Sequence, residues 1–216
     1  MSFCLALRGI AGALAVTAAL AAAQPAWAQA PAPAQAPQAP AAPEQNAPAA
    51  TPAQPGDTFG ENTALAAKTI VYVKGSGSWD KAFDTISASL RKIRTYLDKE
   101  GIKPDGLPMT IFTATDDTGF DYEAAIPIAA APKNPPRGDI QLGQSPEGQA
   151  LKFVHRGSYD DLDNTYEAIT NYLDDKRLEA KDMFIEEYVT DPVSADAKQL
   201  VVNVYVLIKP PGTSPG

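Results

Sequence analysis

The chain has 216 residues and a formal net charge of −8 at pH 7, with 18 Lys and Arg against 26 Asp and Glu. That balance argues against a nucleic-acid surface, which needs clustered cations to meet phosphates. One cysteine and one histidine leave room for neither a disulfide framework nor a Cys- or His-rich metal cluster, and no metal or other cofactor is expected.

Residues 1–28 read as a secretory signal peptide. Arg8 supplies the positive start, residues 9–23 an Ala-rich apolar stretch, and Ala26-Trp27-Ala28 a cleavage site. The apolar stretch is shorter than the roughly 20 residues of a membrane span. Cleavage after Ala28 is therefore expected, with an uncleaved anchor as the alternative. It would remove Cys4, take the formal charge from −8 to −9 by loss of Arg8, and place the mature chain in the periplasm or outside the cell, with no membrane insertion. Residues 29–62 are dominated by Ala, Pro and Gln and have no large apolar set to bury, which predicts an extended linker. Such a stretch is either a spacer or a tolerated low-complexity tail. Ordered structure is expected over 63–209, enough for one well-buried core, with a short disordered tail over 210–216.

Two halves of the ordered region resemble each other. Gly77-Ser78-Trp79 matches Gly157-Ser158-Tyr159 at an offset of 80, whereas Ile93, Tyr96 and Leu97 match Ile169, Tyr172 and Leu173 at an offset of 76. A first helix longer by one turn absorbs the difference. Each half reads as strand, helix, strand, strand. The first comprises a strand over 69–74, a helix with the stripe Ala82, Ile86, Leu90, Ile93 and Leu97, and strands over 109–115 and 121–129. Pro127 cannot donate to a ladder, so the last strand should be an edge there or end at a bulge.

The second half opens with a strand over 150–155 that sets Leu151, Phe153 and His155 on one face. Ser158 starts the helix, with Asp161 as the acidic half of a capping-box-like pair. Leu162, Tyr166, Ile169 and Leu173 form the helical stripe, and strands follow over 184–190 and 200–208. Gly77 and Gly157 are expected to serve the strand-to-helix turns. The whole is an α+β domain of duplicated β-α-β-β units, antiparallel sheets carrying two long helices.

The run from Ala150 through His155, Gly157 and Tyr159 to Leu162, with Tyr166, Leu173, Glu186-Glu187-Tyr188 and Asp191-Pro192, resembles the second repeat of GyrI-like small-molecule-binding domains. These are also the effector-binding domains of AraC- and MerR-type regulators. Phe120-Asp121-Tyr122 through Ile126-Pro127-Ile128 is similar to the end of the first repeat. The resemblance implies a groove between the halves that takes drug-like molecules, often cationic and aromatic. It puts the pocket carboxylate on Glu186, and period-two alternation places Tyr188 on the same face and Glu187 on the other. Trp79, Phe112, Tyr122, Tyr159 and Tyr205 are the other candidate ligand-binding residues. A carboxylate among rings suits a hydrophobic cation. Regulators of this family carry a helix-turn-helix; here a leader and a Pro-rich stretch stand in its place.

The expected function is therefore capture of a small amphipathic ligand by an exported domain. One alternative is a hydrolase of small electrophilic compounds on the same scaffold, with Glu186 orienting or activating water. Another is a structural envelope module. SOUL haem-binding proteins also resemble this fold, and His155 would be the sole axial candidate; a strand histidine with satisfied hydrogen bonds is the plainer reading. Tyr166, at helical spacing, reads as core.

Overall fold

The computed structural model describes residues 59–210. The expected leader, nearly all of the expected linker and most of the expected C-terminal tail fall outside those residues. Within them the order is β1 (Glu61–Leu65), β2 (Thr69–Ser78), α1 (Ala82–Glu100), β3 (Met109–Thr115), β4 (Gly119–Pro127), β5 (Ile140–Gln144), β6 (Gly148–Gly157), α2 (Leu162–Lys176), β7 (Ala180–Tyr188) and β8 (Leu200–Ile208). Short 3-10 turns, Trp79–Lys81 and Tyr159–Asp161, lead into the two helices. Among the described residues, no helix is long and apolar enough to cross a membrane.

The strand-helix-strand-strand order occurs twice, as β2-α1-β3-β4 and β6-α2-β7-β8. Helix α1 has 19 residues and α2 has 15, the four-residue difference that separates the two sequence offsets. The stripe Ala82, Ile86, Leu90, Ile93 and Leu97 is buried throughout, as helical spacing requires. Gly101, at φ 67°, closes α1, with Ile102 N–H donating to the Leu97 carbonyl. The expected capping box at Ser158 takes another form. Its hydroxyl donates to the Asp161 carboxylate at 2.8 Å and makes no bond to the helix backbone.

All eight strands form one antiparallel sheet in the order β1-β6-β8-β7-β3-β4-β2-β5, the six expected from the two units together with β1 and β5. The halves meet at the centre through β7 and β3, with Glu186 opposite Thr110 and Phe184 opposite Phe112. The two extra strands cross over. β1 precedes the first unit but pairs with β6 of the second, and β5 precedes the second but pairs with β2 of the first. Pro127 ends an interior strand. Its carbonyl accepts from Asp105 on the β3 side, where the β3 ladder has already stopped at Met109↔Ala125, so its missing N–H interrupts no strand pairing.

Chain length forces the sheet to curl. β1 and β2 lie six strand spacings apart, about 29 Å on a flat sheet, yet only Ala66, Ala67 and Lys68 join them, a reach of about 14 Å. β5 and β6 are subject to the same constraint through residues 145–147. The two connections meet at a seam, where Lys68 N–H donates to Ser145 Oγ at 3.0 Å and Ser145 N–H to the Lys68 carbonyl at 2.8 Å. The curl encloses a second apolar cluster of Ile70, Met109, Ile111, Ala125, Ile185 and Leu207 on the face away from the helices. The main core lies between the other face and the helices.

Candidate functional site

The central strands carry the site on the face below the helices. Alternation along β7 turns Phe184, Glu186 and Tyr188 to this face and Ile185 and Glu187 to the concave one. Glu186 is 1 % exposed and accepts from three tyrosine hydroxyls. Tyr166 of α2 donates to Oε1 at 2.8 Å, Tyr188 of β7 to Oε2 at 2.8 Å, and Tyr159 of the 3-10 turn to Oε2 at 3.3 Å. Thr110 on β3 shares a 3.0 Å hydrogen bond with the Tyr188 hydroxyl.

Rings close the site on its other sides. Phe184 stacks on Phe112 at 4.5 Å and lies 4.9 Å from Tyr166, and Trp79 stacks beyond Phe112 at 6.3 Å. The indole N–H of Trp79 donates to the Asp116 carbonyl at 2.8 Å. Phe83, at the start of α1, reaches Tyr159 across the gap at 5.4 Å, so the two helix starts are bridged by rings.

The electrostatics follow from this enclosure. Burial pushes the Glu186 carboxyl above the ordinary glutamate value, against the pull of the three hydroxyls, which stabilise the ionised form. Burial, and then the Glu186 charge, hold the Tyr166, Tyr188 and Tyr159 hydroxyls well above theirs, so they remain donors at any ordinary pH. No cation takes part in setting Glu186. Asp163, at the start of α2, adds a further negative field at Tyr159 and Tyr166.

Of the residues singled out from sequence, Glu186, Tyr188, Tyr159, Phe112 and Trp79 come together here. Tyr122 lies on the same face but under α1, where its hydroxyl shares a 2.8 Å hydrogen bond with Ser89. Tyr205 corrects the expectation. It lies on the concave face, opposite Ile185, and donates to Glu187 at 3.0 Å. Tyr166, read from its spacing as core, is a direct partner of Glu186. Phe184 and Thr110 also belong to the site. The alternation that grouped Glu186 with Tyr188 was the available signal for Phe184; Thr110 depends on the β3–β7 register, which has no local signature.

The glycines differ in what they do. Gly157, at φ 152°, has a backbone conformation that L side chains rarely adopt and turns the chain from β6 toward the 3-10 turn. Gly77 sits within β2, where a Cβ would come 3.0 Å from the Phe120 ring. His155 is 4 % exposed and both ring nitrogens are engaged within the protein, which leaves neither for an axial bond to haem. On the concave face a small cleft of about 40 Å³, open to solvent, lies between Lys68, Met109, Ser145, Glu187 and Tyr205.

Fold and site together give two strand-helix-strand-strand units joined at β3 and β7 around a buried carboxylate cage. Residues 63–209 match the GyrI-like small molecule binding domain. The chain belongs to that family. Among solved structures it is similar to EcmrR in its DNA complex, at 15 % identity and a TM-score of 0.59 over 69 % of this chain and 56 % of that one. The similarity thus spans little more than half of that chain. The isolated EcmrR C-terminal domain matches at 15 % identity and a TM-score of 0.54, over 69 % of this chain and 96 % of that one. A hydrolase from Listeria innocua matches at 13 % identity and a TM-score of 0.49, over 70 % and 92 %. A comparison with curated proteins gave no match.

Proposed function

We propose that this domain, exported to the periplasm or beyond, captures an amphipathic aromatic cation in the groove between its two halves. The observation that carries this reading is the Glu186 carboxylate. It is buried, held by three neutral hydroxyls, and lacks any cationic partner. Buried charges are ordinarily paired. A ligand cation would supply the missing charge, and the faces of Tyr166, Phe184, Phe112 and Trp79 would attract it as well. Because these rings fill the space they line, uptake requires them to swing aside. Part of the binding energy therefore goes into ring displacement, which favours a large flat ligand over a compact ammonium ion.

The test uses crystal violet, its leuco form, which carries the same rings without the charge at neutral pH, and fluorescein as the anion. At 100 times its dissociation constant a ligand stabilises the fold by about 2.7 kcal/mol, a readily measured thermal shift. The expected result is a shift with crystal violet alone, lost in Glu186→Gln. Equal shifts with the leuco form would remove the carboxylate from recognition. The raised Glu186 carboxyl also suits a general base, so turnover of an epoxide that disappears in Glu186→Gln would establish the hydrolase reading instead. No shift with any ligand would favour a structural envelope module.

A further inference from the structure

His155 stands at the end of β6, beside the site but outside the cage. Its Nε2 lies 2.9 Å from the Ser158 carbonyl oxygen and its Nδ1 2.8 Å from Thr165 Oγ1. A carbonyl oxygen only accepts, so Nε2 carries the proton and Nδ1 accepts from the Thr165 hydroxyl. Both residues held by the ring are chain neighbours of cage tyrosines, Ser158 of Tyr159 and Thr165 of Tyr166. One imidazole thus pins the 3-10 turn and the first helical turn of α2 to the sheet that carries Glu186.

We propose that His155, as its neutral Nε2–H tautomer, is a positioning residue that sets Tyr159 and Tyr166 against Glu186. The inference rests on Glu186 being the ligand site. Protonation places a hydrogen on Nδ1, facing Thr165 Oγ1. The hydroxyl must then turn to accept, and the clamp on α2 changes. Around the ring, the 3-10 turn contributes the Asp161 carboxylate, α2 contributes Thr165, and β8 places the buried Val202 opposite His155 in register. Burial opposes the charged ring, as does the positive end of the α2 dipole, whereas the hydrogen bond to the Ser158 carbonyl and the Asp161 carboxylate favour it. The turn that brings Ser158 into reach depends on Gly157, which explains a glycine at that point of β6.

The sole histidine gives one set of imidazole NMR signals in the full chain. Nitrogen-15 spectra are expected to show the Nε2–H tautomer at neutral pH. As the ring titrates, the ring signals of Tyr159 and Tyr166 should move with the same midpoint. In His155→Gln, which keeps a donor toward Ser158 but does not titrate, that movement should vanish. Crystal violet affinity should fall by about tenfold across the histidine titration in wild type, the effect of one lost hydrogen bond. The same step should be missing in His155→Gln, where only the Glu186 titration remains. An Nδ1–H tautomer, or tyrosine signals that ignore the histidine, would overturn the proposal. Those spectra need no ligand, so failure of crystal violet to bind would count against the Glu186 reading and leave the positioning result intact.

Discussion

Glu186 and Glu187 are adjacent, chemically identical, and separated by the pleat of β7 into two different environments. Glu186 lies on the helix-covered face, with donors from the 3-10 turn, α2 and β7 itself. Glu187 faces the concave side, partly exposed, with both donors, Asn203 and Tyr205, from β8. The first arrangement ties three elements together around one charge, so a shift of α2 is felt at the carboxylate. The second only stitches two neighbouring strands, and water can replace what it loses. Burial and the origin of the donors, not residue type, distinguish a candidate recognition site from a surface crosslink.

The largest test of that contrast is affinity. Glu186→Gln should weaken crystal violet binding about 100-fold by titration calorimetry, in keeping with removal of a buried partner charge. Glu187→Gln should change it by less than about twofold, and equal losses would break the comparison. A smaller effect is expected in urea denaturation. Tyr188→Phe strips a donor from Glu186 and a partner from Thr110 in a fully buried place, costing about 1–3 kcal/mol. Tyr205→Phe should cost about 0.5 kcal/mol, because Glu187 can rehydrate.

The subtlest distinction is in the pH dependence of stability. Glu186 holds its proton more tightly in the fold than in the unfolded chain, so its contribution is greatest below about 4.5 and declines as pH rises through the raised folded value. His155 is shifted the other way by burial. Its contribution is full above 6.5 and is lost as pH falls toward the lowered folded value. Relative to wild type, Glu186→Gln should therefore gain stability as pH rises, and His155→Gln as pH falls. Urea midpoints between pH 4 and 8 would show both trends; parallel curves would mean that neither group titrates as its surroundings dictate.

Much of this arrangement was legible in the sequence because it rests on long periodic elements. The α1 stripe, the six inner strands and the pairing of Glu186 with Tyr188 all follow from spacing. β1 and β5 were not legible. Glu-Asn-Thr-Ala-Leu has little apolar alternation, and Ile-Gln-Leu-Gly-Gln is interrupted by glycine. Both are edge strands whose order comes from partners more than 65 residues away. Tyr166 packs against the core, as its spacing implied, but its bond to Glu186 was not legible, for a physical reason. A ring at core spacing can fill the core with its body and still carry its hydroxyl to a buried acid. Tyr205 was misplaced because its face is set by register with β7, which is a property of the assembled sheet.

The crossing of β1 and β5 bears on how the domain comes into being. A chain made from its N-terminus offers Glu61 long before its partner Lys152 exists. The sheet cannot close at either edge until both halves are present, so neither half is a folding unit that could be finished early and handed on. Long-range pairing of this kind is slow. Under the proposed export, which would require the chain to cross a membrane before folding, that delay would be an advantage: the domain would stay threadable until nearly all of it had been made.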